Sequence, residues 1–326
     1  MINLILIFLS GIGLFLFAIY TIDKSFEHTR ALSPSVEKLF AKPCFSFAFG
    51  ILSAALTQSS SAINSILTTL RDKDKIEEKS TLYAIAGSNI GTTATAFLAV
   101  MQNVSVNAFF SSVIFAATLF LVLVKQDKKK KYALLLCGFS MIFISFSIIK
   151  HTVPELVRYL NLGFLTSPYP IIPFVVCLIL TALCQSSSLV SVLIISFAKI
   201  NALSLTNALF MIMAANIGTC STVFLVSVGK SKKSVRVAVF NLLFNVIPAL
   251  FFIVAYYSRM LDSFLQLNVA IDTKIAIFHT LFNVVACLLV CPFIGWFTDE
   301  NEKYEAQKTK RVNLVILKKP ALKKRA

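Results

Sequence analysis

Nine stretches of the chain are almost uninterruptedly apolar: residues 2–22, 44–70, 80–101, 105–124, 132–149, 170–198, 203–228, 235–257 and 275–297. Each is long enough for a bilayer-spanning helix, which needs roughly 20 residues, so the pattern predicts an all-α polytopic membrane protein. Polar residues interrupt this background in an ordered way. Gln58-Ser59-Ser60-Ser61 is followed 31 residues later by Asn89-Ile90-Gly91-Thr92, and Gln185-Ser186-Ser187-Ser188 by Asn216-Ile217-Gly218-Thr219 at the same distance. Both motifs recur at an offset of 127 positions. Polar groups inside a membrane are costly, and internal repeats mark many secondary transporters, so the duplication points to a two-part site of that kind. A single serine cluster would be read as a helix-packing surface; two copies with matching partners favour a site.

The basic residues decide between two topologies. If all nine segments cross with the N-terminus outside, inner and outer loops hold 19 and 12 basic residues. If segments 44–70 and 170–198 instead dip in and return, the division becomes 26 to 5, which the positive-inside rule prefers. Three crossings then separate the two re-entrant helical hairpins, so they enter from opposite faces and the repeats are inverted. This reading places repeat 1 at about 44–124 and repeat 2 at about 170–257 of a transmembrane domain covering 1–298. Helices 2–22, 132–149 and 275–297 flank the repeats, and a basic cytoplasmic tail follows at 299–326. The N-terminus is expected outside the cytoplasmic (inner) membrane and the C-terminus in the cytoplasm. Residues 2–22 lack a basic leader and a small-residue cleavage site, and read as a retained helix.

Composition agrees. The hydrophobic fraction is 57% and charged residues make up 14%. A net charge of +16 could suggest nucleic acid, but the basic residues lie in short loops and the tail, with no nucleic-acid motif around them. Anionic lipid headgroups suit Lys128–Lys131 and the tail better. Seven cysteines without metal-type spacing read as compact packing residues.

No Lys or Arg falls within 43–70 or 170–198. An anion at either motif would depend on hydroxyls, backbone N–H groups, helix dipoles and co-bound cations. Carbonyl, amide and hydroxyl oxygens at a broken helix equally suit a hard cation such as sodium. Phe240-Asn241-Leu242-Leu243-Phe244-Asn245 and Phe278-His279-Thr280-Leu281-Phe282-Asn283 add two Phe-Asn pairs, whose asparagines face the site or bond across helices. His279, the one histidine in a span, is expected to be a satisfied packing residue rather than a proton relay. An intramembrane serine hydrolase is disfavoured, because there is no Gly-x-Ser-x-Gly elbow and two equivalent serine motifs serve no one-nucleophile mechanism. Neither a phosphate-loop motif nor an acidic metal pair lies in the spans.

The paired Gln-Ser-Ser-Ser and Asn-Ile-Gly-Thr motifs, with His279-x-x-Phe282-Asn283, resemble the type II sodium-dependent phosphate cotransporter family. The likeness runs from Gly11-x-Gly13-Leu14-Phe15-Leu16-Phe17 to Cys291-Pro292-Phe293. The resemblance implies sodium-coupled uptake of inorganic phosphate, with no cofactor beyond sodium as coupling ion. It places Gln58, Ser59, Ser60 and Ser61 opposite Gln185, Ser186, Ser187 and Ser188 around phosphate and sodium. Asn89, Thr92, Asn216 and Thr219 would extend the ion sites, with Thr57, Thr93, Asn245 and Asn283 as further ion-binding candidates. Asn241 stands where the second Phe-Asn motif has His279, Cys220 ends the second Asn-Ile-Gly-Thr stretch, and Leu189 replaces the small Ala62. The 29 residues after Phe297 are too few for the helical regulatory domain that many bacterial relatives carry. Export or facilitated passage of phosphate or another oxyanion, a non-transporting phosphate sensor, and homo-oligomerisation all stay open.

Overall fold

A computed structural model describes residues 2–26, 40, 42–101, 104–123, 127–159 and 162–298. Residues 27–39 and 41 of the predicted loop 24–42, and the tail 299–326, lie outside these residues. Among the described residues all regular structure is helical. The elements in chain order are α1 (Ile2–Phe26), α2 (Pro43–Thr57), α3 (Ser60–Asp72), α4 (Glu78–Gly91), α5 (Ala94–Val100), α6 (Val104–Leu123), α7 (Asp127–Tyr159), α8 (Ile171–Cys184), α9 (Ser187–Lys199), α10 (Leu205–Gly218), α11 (Cys220–Ser227), α12 (Lys232–Tyr257), α13 (Asp262–Leu265) and α14 (Ile271–Val290). Among the described residues five segments are long and apolar enough to cross a membrane: Ile2–Ile22, Tyr132–Tyr159, Leu205–Ser227, Lys232–Tyr257 and Ile271–Thr298.

Four of the nine apolar segments are each two helices, the two expected as hairpins and two expected as single crossings. Segment 44–70 is α2 and α3, 80–101 is α4 and α5, 170–198 is α8 and α9, and 203–228 is α10 and α11. The breaks are of two kinds. At Thr92–Thr93 the backbone stays in the right-handed helical region and the hydrogen bonds shorten to i→i−3, as from Thr95 N to Thr92 O. Such tightening kinks a helix without turning it back. At Gln58 and Gln185 the backbone leaves the helix altogether, as described below.

The boundaries repeat with the motifs. Adding 127 to those of α3 gives those of α9, and the same shift carries α4 onto α10. Packing crosses between the halves, because α3 lies against α11 and α9 against α5. Within repeat 1, α2 and α4 approach backbone to backbone. A Cβ on Gly50 would stand 2.0 Å from Ala84 O, and one on Gly87 2.1 Å from Phe47 O. Only glycine permits that approach. Outside the repeats α1 packs along α7, with Phe15 stacked on Phe146 at 5.6 Å.

Charged groups gather at one end of the bundle. Glu78, with a side chain only 5% exposed, pairs with Arg71 at 3.2 Å and Arg236 at 2.9 Å. Lys233 meets Asp74 at 2.6 Å, and Lys230 donates to Thr69 Oγ1 at 2.8 Å. The Ser231 hydroxyl and N–H, with the Ser234 hydroxyl, donate to Asp72 and hold its carboxyl below the ordinary range. These bonds tie the 71–78 segment to the 230–236 segment. A second pair ties Lys199, the last residue of α9, to Asp272 at 2.6 Å. Removing a buried partner leaves the opposing charges uncompensated, at a cost of about 3–5 kcal/mol. Glu78→Ala should therefore lower the unfolding temperature in detergent well beyond the effect of the exposed pair change Glu155→Ala.

Candidate functional site

The two Gln-Ser-Ser-Ser motifs share one backbone device. Gln58 ends α2 at φ 55, ψ 24, and Gln185 ends α8 at φ 54, ψ 26. A left-handed conformation at a non-glycine residue costs about 1–2 kcal/mol, and here it stops each helix at a matched position. The next residue is extended and caps the next helix: Ser59 Oγ accepts from Ala62 N at 3.2 Å, and Ser186 Oγ from Leu189 N at 3.3 Å. The first N–H groups of α3 and α9 are consequently left without intrahelical partners, at the positive ends of their helix dipoles.

These two breaks meet. Ser61 Oγ donates to Gln185 O at 3.0 Å, and Ser188 Oγ donates to Gln58 O at 2.9 Å. Ser188 is Ser61 shifted by 127, and Gln185 is Gln58 shifted likewise, so the contact is reciprocal. Thr95, on α5, joins it by donating to Gln58 Oε1 at 2.6 Å, with Ser188 Oγ at 3.2 Å. Gln58 Nε2 donates to Ala55 O. Sequence reasoning missed Thr95, although its place three residues beyond Thr92 was the available signal. The arrangement is unequal in one respect, since Gln58 is 1% exposed whereas Gln185 belongs to the exposed surface.

The remaining candidates fall on helices around this junction. Asn89, Asn216, Asn245 and Asn283 all donate their amide N–H to the carbonyl four residues earlier, at 2.9, 2.8, 2.8 and 2.9 Å respectively. That bond turns each amide oxygen away from its own helix. For Asn245 and Asn283 the buried Oδ1 has no hydrogen-bond partner at all. An unpaired amide oxygen of this kind suits a hard cation. The hydroxyls of Thr57, Thr92, Thr93 and Thr219 donate to carbonyls of their own helices, at 2.8 Å in each case, which leaves their lone pairs available. Asn64, not anticipated, accepts from Ser88 at 2.6 Å and lies 3.5 Å from Asn241 Oδ1, joining α3, α4 and α12. Cys220 Sγ bridges toward Asn241 O and Asn245 Nδ2, both at 3.4 Å.

The expectation for His279 needs correcting. The ring is fully buried, yet neither nitrogen has a partner, so it is not a satisfied packing histidine. Its place one turn before Asn283 puts three unpaired polar atoms on one stretch of α14. The cysteines are free, and only Cys137, Cys177 and Cys220 are buried.

Over residues 14–151 and 161–273 the sequence matches the family described as Na+/Pi-cotransporter. The chain belongs to this family. With five apolar helices of crossing length, it is a multi-pass membrane protein of a transporter family. It is 26% identical to the uncharacterised protein YqeW of Bacillus subtilis (strain 168), over 90% of this chain and 94% of that one. It is 25% identical to YjbB of Escherichia coli (strain K12), provisionally named as an inorganic phosphate export protein, over 81% of this chain and 48% of that one. The match to YjbB of Salmonella typhimurium, with the same provisional name, is 25% over 80% of this chain and 47% of that one. The chain thus spans about half the length of the YjbB relatives. No solved structure gives a significant match.

Proposed function

We propose that the chain carries inorganic phosphate across the cytoplasmic membrane, coupled to sodium, between two opposed Gln-Ser-Ser-Ser tips of inverted repeats. The reciprocal bonding of Ser61 to Gln185 O and of Ser188 to Gln58 O carries this reading. Where the tips cross, two capped helix N-termini converge with their free N–H groups and with the hydroxyls of Ser60 and Ser187. Such an assembly binds an anion without a basic side chain. The amide oxygens of Asn89, Asn216, Asn245 and Asn283 would hold sodium nearby and screen the phosphate charge.

Two observations support the inversion. At 15, 13, 14 and 13 residues, α2, α3, α8 and α9 rise only about 20 Å each, short of the roughly 30 Å hydrocarbon core, and a left-handed glutamine divides each pair, which suits a segment that enters and returns. The bonds between 71–78 and 230–236 also place the end of α3 beside the start of α12. Leu205–Ser227 separates that level from Lys199, which pairs with Asp272. This arrangement supports arms α3 and α9 that finish at opposite ends of the bundle, and the Arg71–Arg236 end, richer in Lys and Arg, would face the cytoplasm.

Export has one observation in its favour, the provisional name of the YjbB relatives. Symport and export are distinguished by radiolabelled phosphate flux in proteoliposomes. Sodium-coupled uptake should require an inward sodium gradient and vanish when potassium replaces it. Ser60→Ala or Ser187→Ala should raise the apparent KM for phosphate about tenfold, the effect of one lost hydrogen bond to a charged ligand. Flux that ignores sodium would remove the coupling, and wild-type kinetics in the serine variants would remove the site.

A further inference from the structure

The two halves match in sequence position but not in bonding, and the difference centres on a pair of threonines. Thr222 is Thr95 shifted by 127. Thr95 Oγ1 donates to the amide oxygen of Gln58 at 2.6 Å and lies 3.2 Å from Ser188 Oγ. In the other half Thr222 Oγ1 is buried with no partner. Gln185, the glutamine that corresponds to Gln58, is exposed. Residues beside the glutamines follow suit, since Thr57 is 4% exposed whereas its counterpart Cys184 is exposed.

A buried hydroxyl without a partner costs about as much as the hydrogen bond it forgoes, and a two-fold related chain offers a definite place where that bond could form. We infer that Thr95 and Thr222 are paired positioning residues. Each hydroxyl holds the glutamine of its own tip in one of two conformations, and the structure is the conformation in which Thr95 is engaged. In the other, Thr222 Oγ1 donates to Gln185 Oε1 and meets Ser61 Oγ, while Thr95 releases Gln58. Tip 2 then becomes the buried tip and tip 1 the open one. The two states exchange one hydroxyl–amide bond for its equivalent, so neither is held far below the other, as a carrier that must visit both requires. The inference rests on the inverted-repeat transport reading and adds to it the groups that set the balance between its two states.

The test reads conformation directly. Thr57→Cys is introduced into the full-length protein, and labelling by N-ethylmaleimide at that position and at native Cys184 is followed by peptide-resolved mass spectrometry. Thr95→Val should speed labelling at position 57 and slow it at Cys184, each about fivefold, the factor that one net hydrogen bond gives a two-state equilibrium. Thr222→Val should slow labelling at position 57 while Cys184 stays reactive. It should also slow transport, although the hydroxyl it removes bonds to nothing in this structure. Thr95→Ser and Thr222→Ser, which keep the hydroxyl, should restore the wild-type pattern. If Thr95→Val does not fold, Thr222→Val still decides, because replacing an unpaired buried hydroxyl by a methyl group leaves this conformation intact. Shifts of the same sign in both valine variants, or wild-type labelling and transport in Thr222→Val, would overturn the inference. Labelling involves neither phosphate nor sodium. Opposed labelling shifts without phosphate flux therefore leave the inference standing and remove the phosphate reading, while phosphate flux with unaltered labelling does the converse.

Discussion

Replacing both crossing serines, Ser61→Ala with Ser188→Ala, should lower kcat/KM for phosphate about 100-fold, roughly 3 kcal/mol for two lost hydrogen bonds and the carbonyls left behind. The two single changes should not contribute equally. Ser188 is 3% exposed, bonds to Gln58 O, and lies beside Thr95 Oγ1, so its loss leaves a buried carbonyl unpaired. The Ser61–Gln185 bond is exposed, and water can replace it. Ser188→Ala alone should account for most of the loss, and Ser61→Ala for about a threefold part of it. Radiolabelled flux on protein of confirmed insertion gives the ratio. Equal effects of the two changes would mean that the tips are not buried unequally, as described here.

A large loss of stability should come from Gly87→Ala. Its new methyl group would stand 2.1 Å from Phe47 O, on a backbone that cannot rotate away, so α2 and α4 must separate. The expected cost is about 3 kcal/mol, the upper end of the usual overpacking cost, because the opposing atom is backbone rather than a flexible side chain. It should appear as a lost fraction of monodisperse protein and a lower unfolding temperature in detergent. Gly13→Ala is the control, since no atom lies within 4 Å of a Cβ at that position. The second half shows why the effect is confined to one side. There Gly50 is replaced by Cys177 and Gly87 by Ala214, and Cys177 Sγ reaches Met211 O at 3.1 Å where Gly50 opposes Ala84 O. The α8–α10 pair therefore carries side chains where α2–α4 brings backbones together, and a stable Gly87→Ala protein would refute this account.

Much of this architecture is written in local pattern. Apolar stretches of known length give the helices, and the 127-residue offset gives the duplicated elements down to shared boundaries of α3 with α9 and α4 with α10. The serine that follows each glutamine marks the new helix start, because a hydroxyl accepting from an N–H three residues on is a short-range bond. The Asn-to-carbonyl bonds are equally local, spanning one helical turn. Hydropathy by itself did not mark the break within segments 44–70 and 170–198, because one left-handed residue leaves no trace in an average; the distribution of Lys and Arg pointed to it instead.

The sequence by itself determined the helices, their duplication and the polar residues at each break, because those follow from interactions within a few positions along the chain. Tertiary structure alone decided which polar atoms meet: Ser61 with Gln185, Ser188 with Gln58, Thr95 with Gln58, and none with Thr222 or His279. These are contacts between distant segments, set by how helices cross. Two copies of one motif carry the same local information, so only their packing could bury Gln58 and leave Gln185 open.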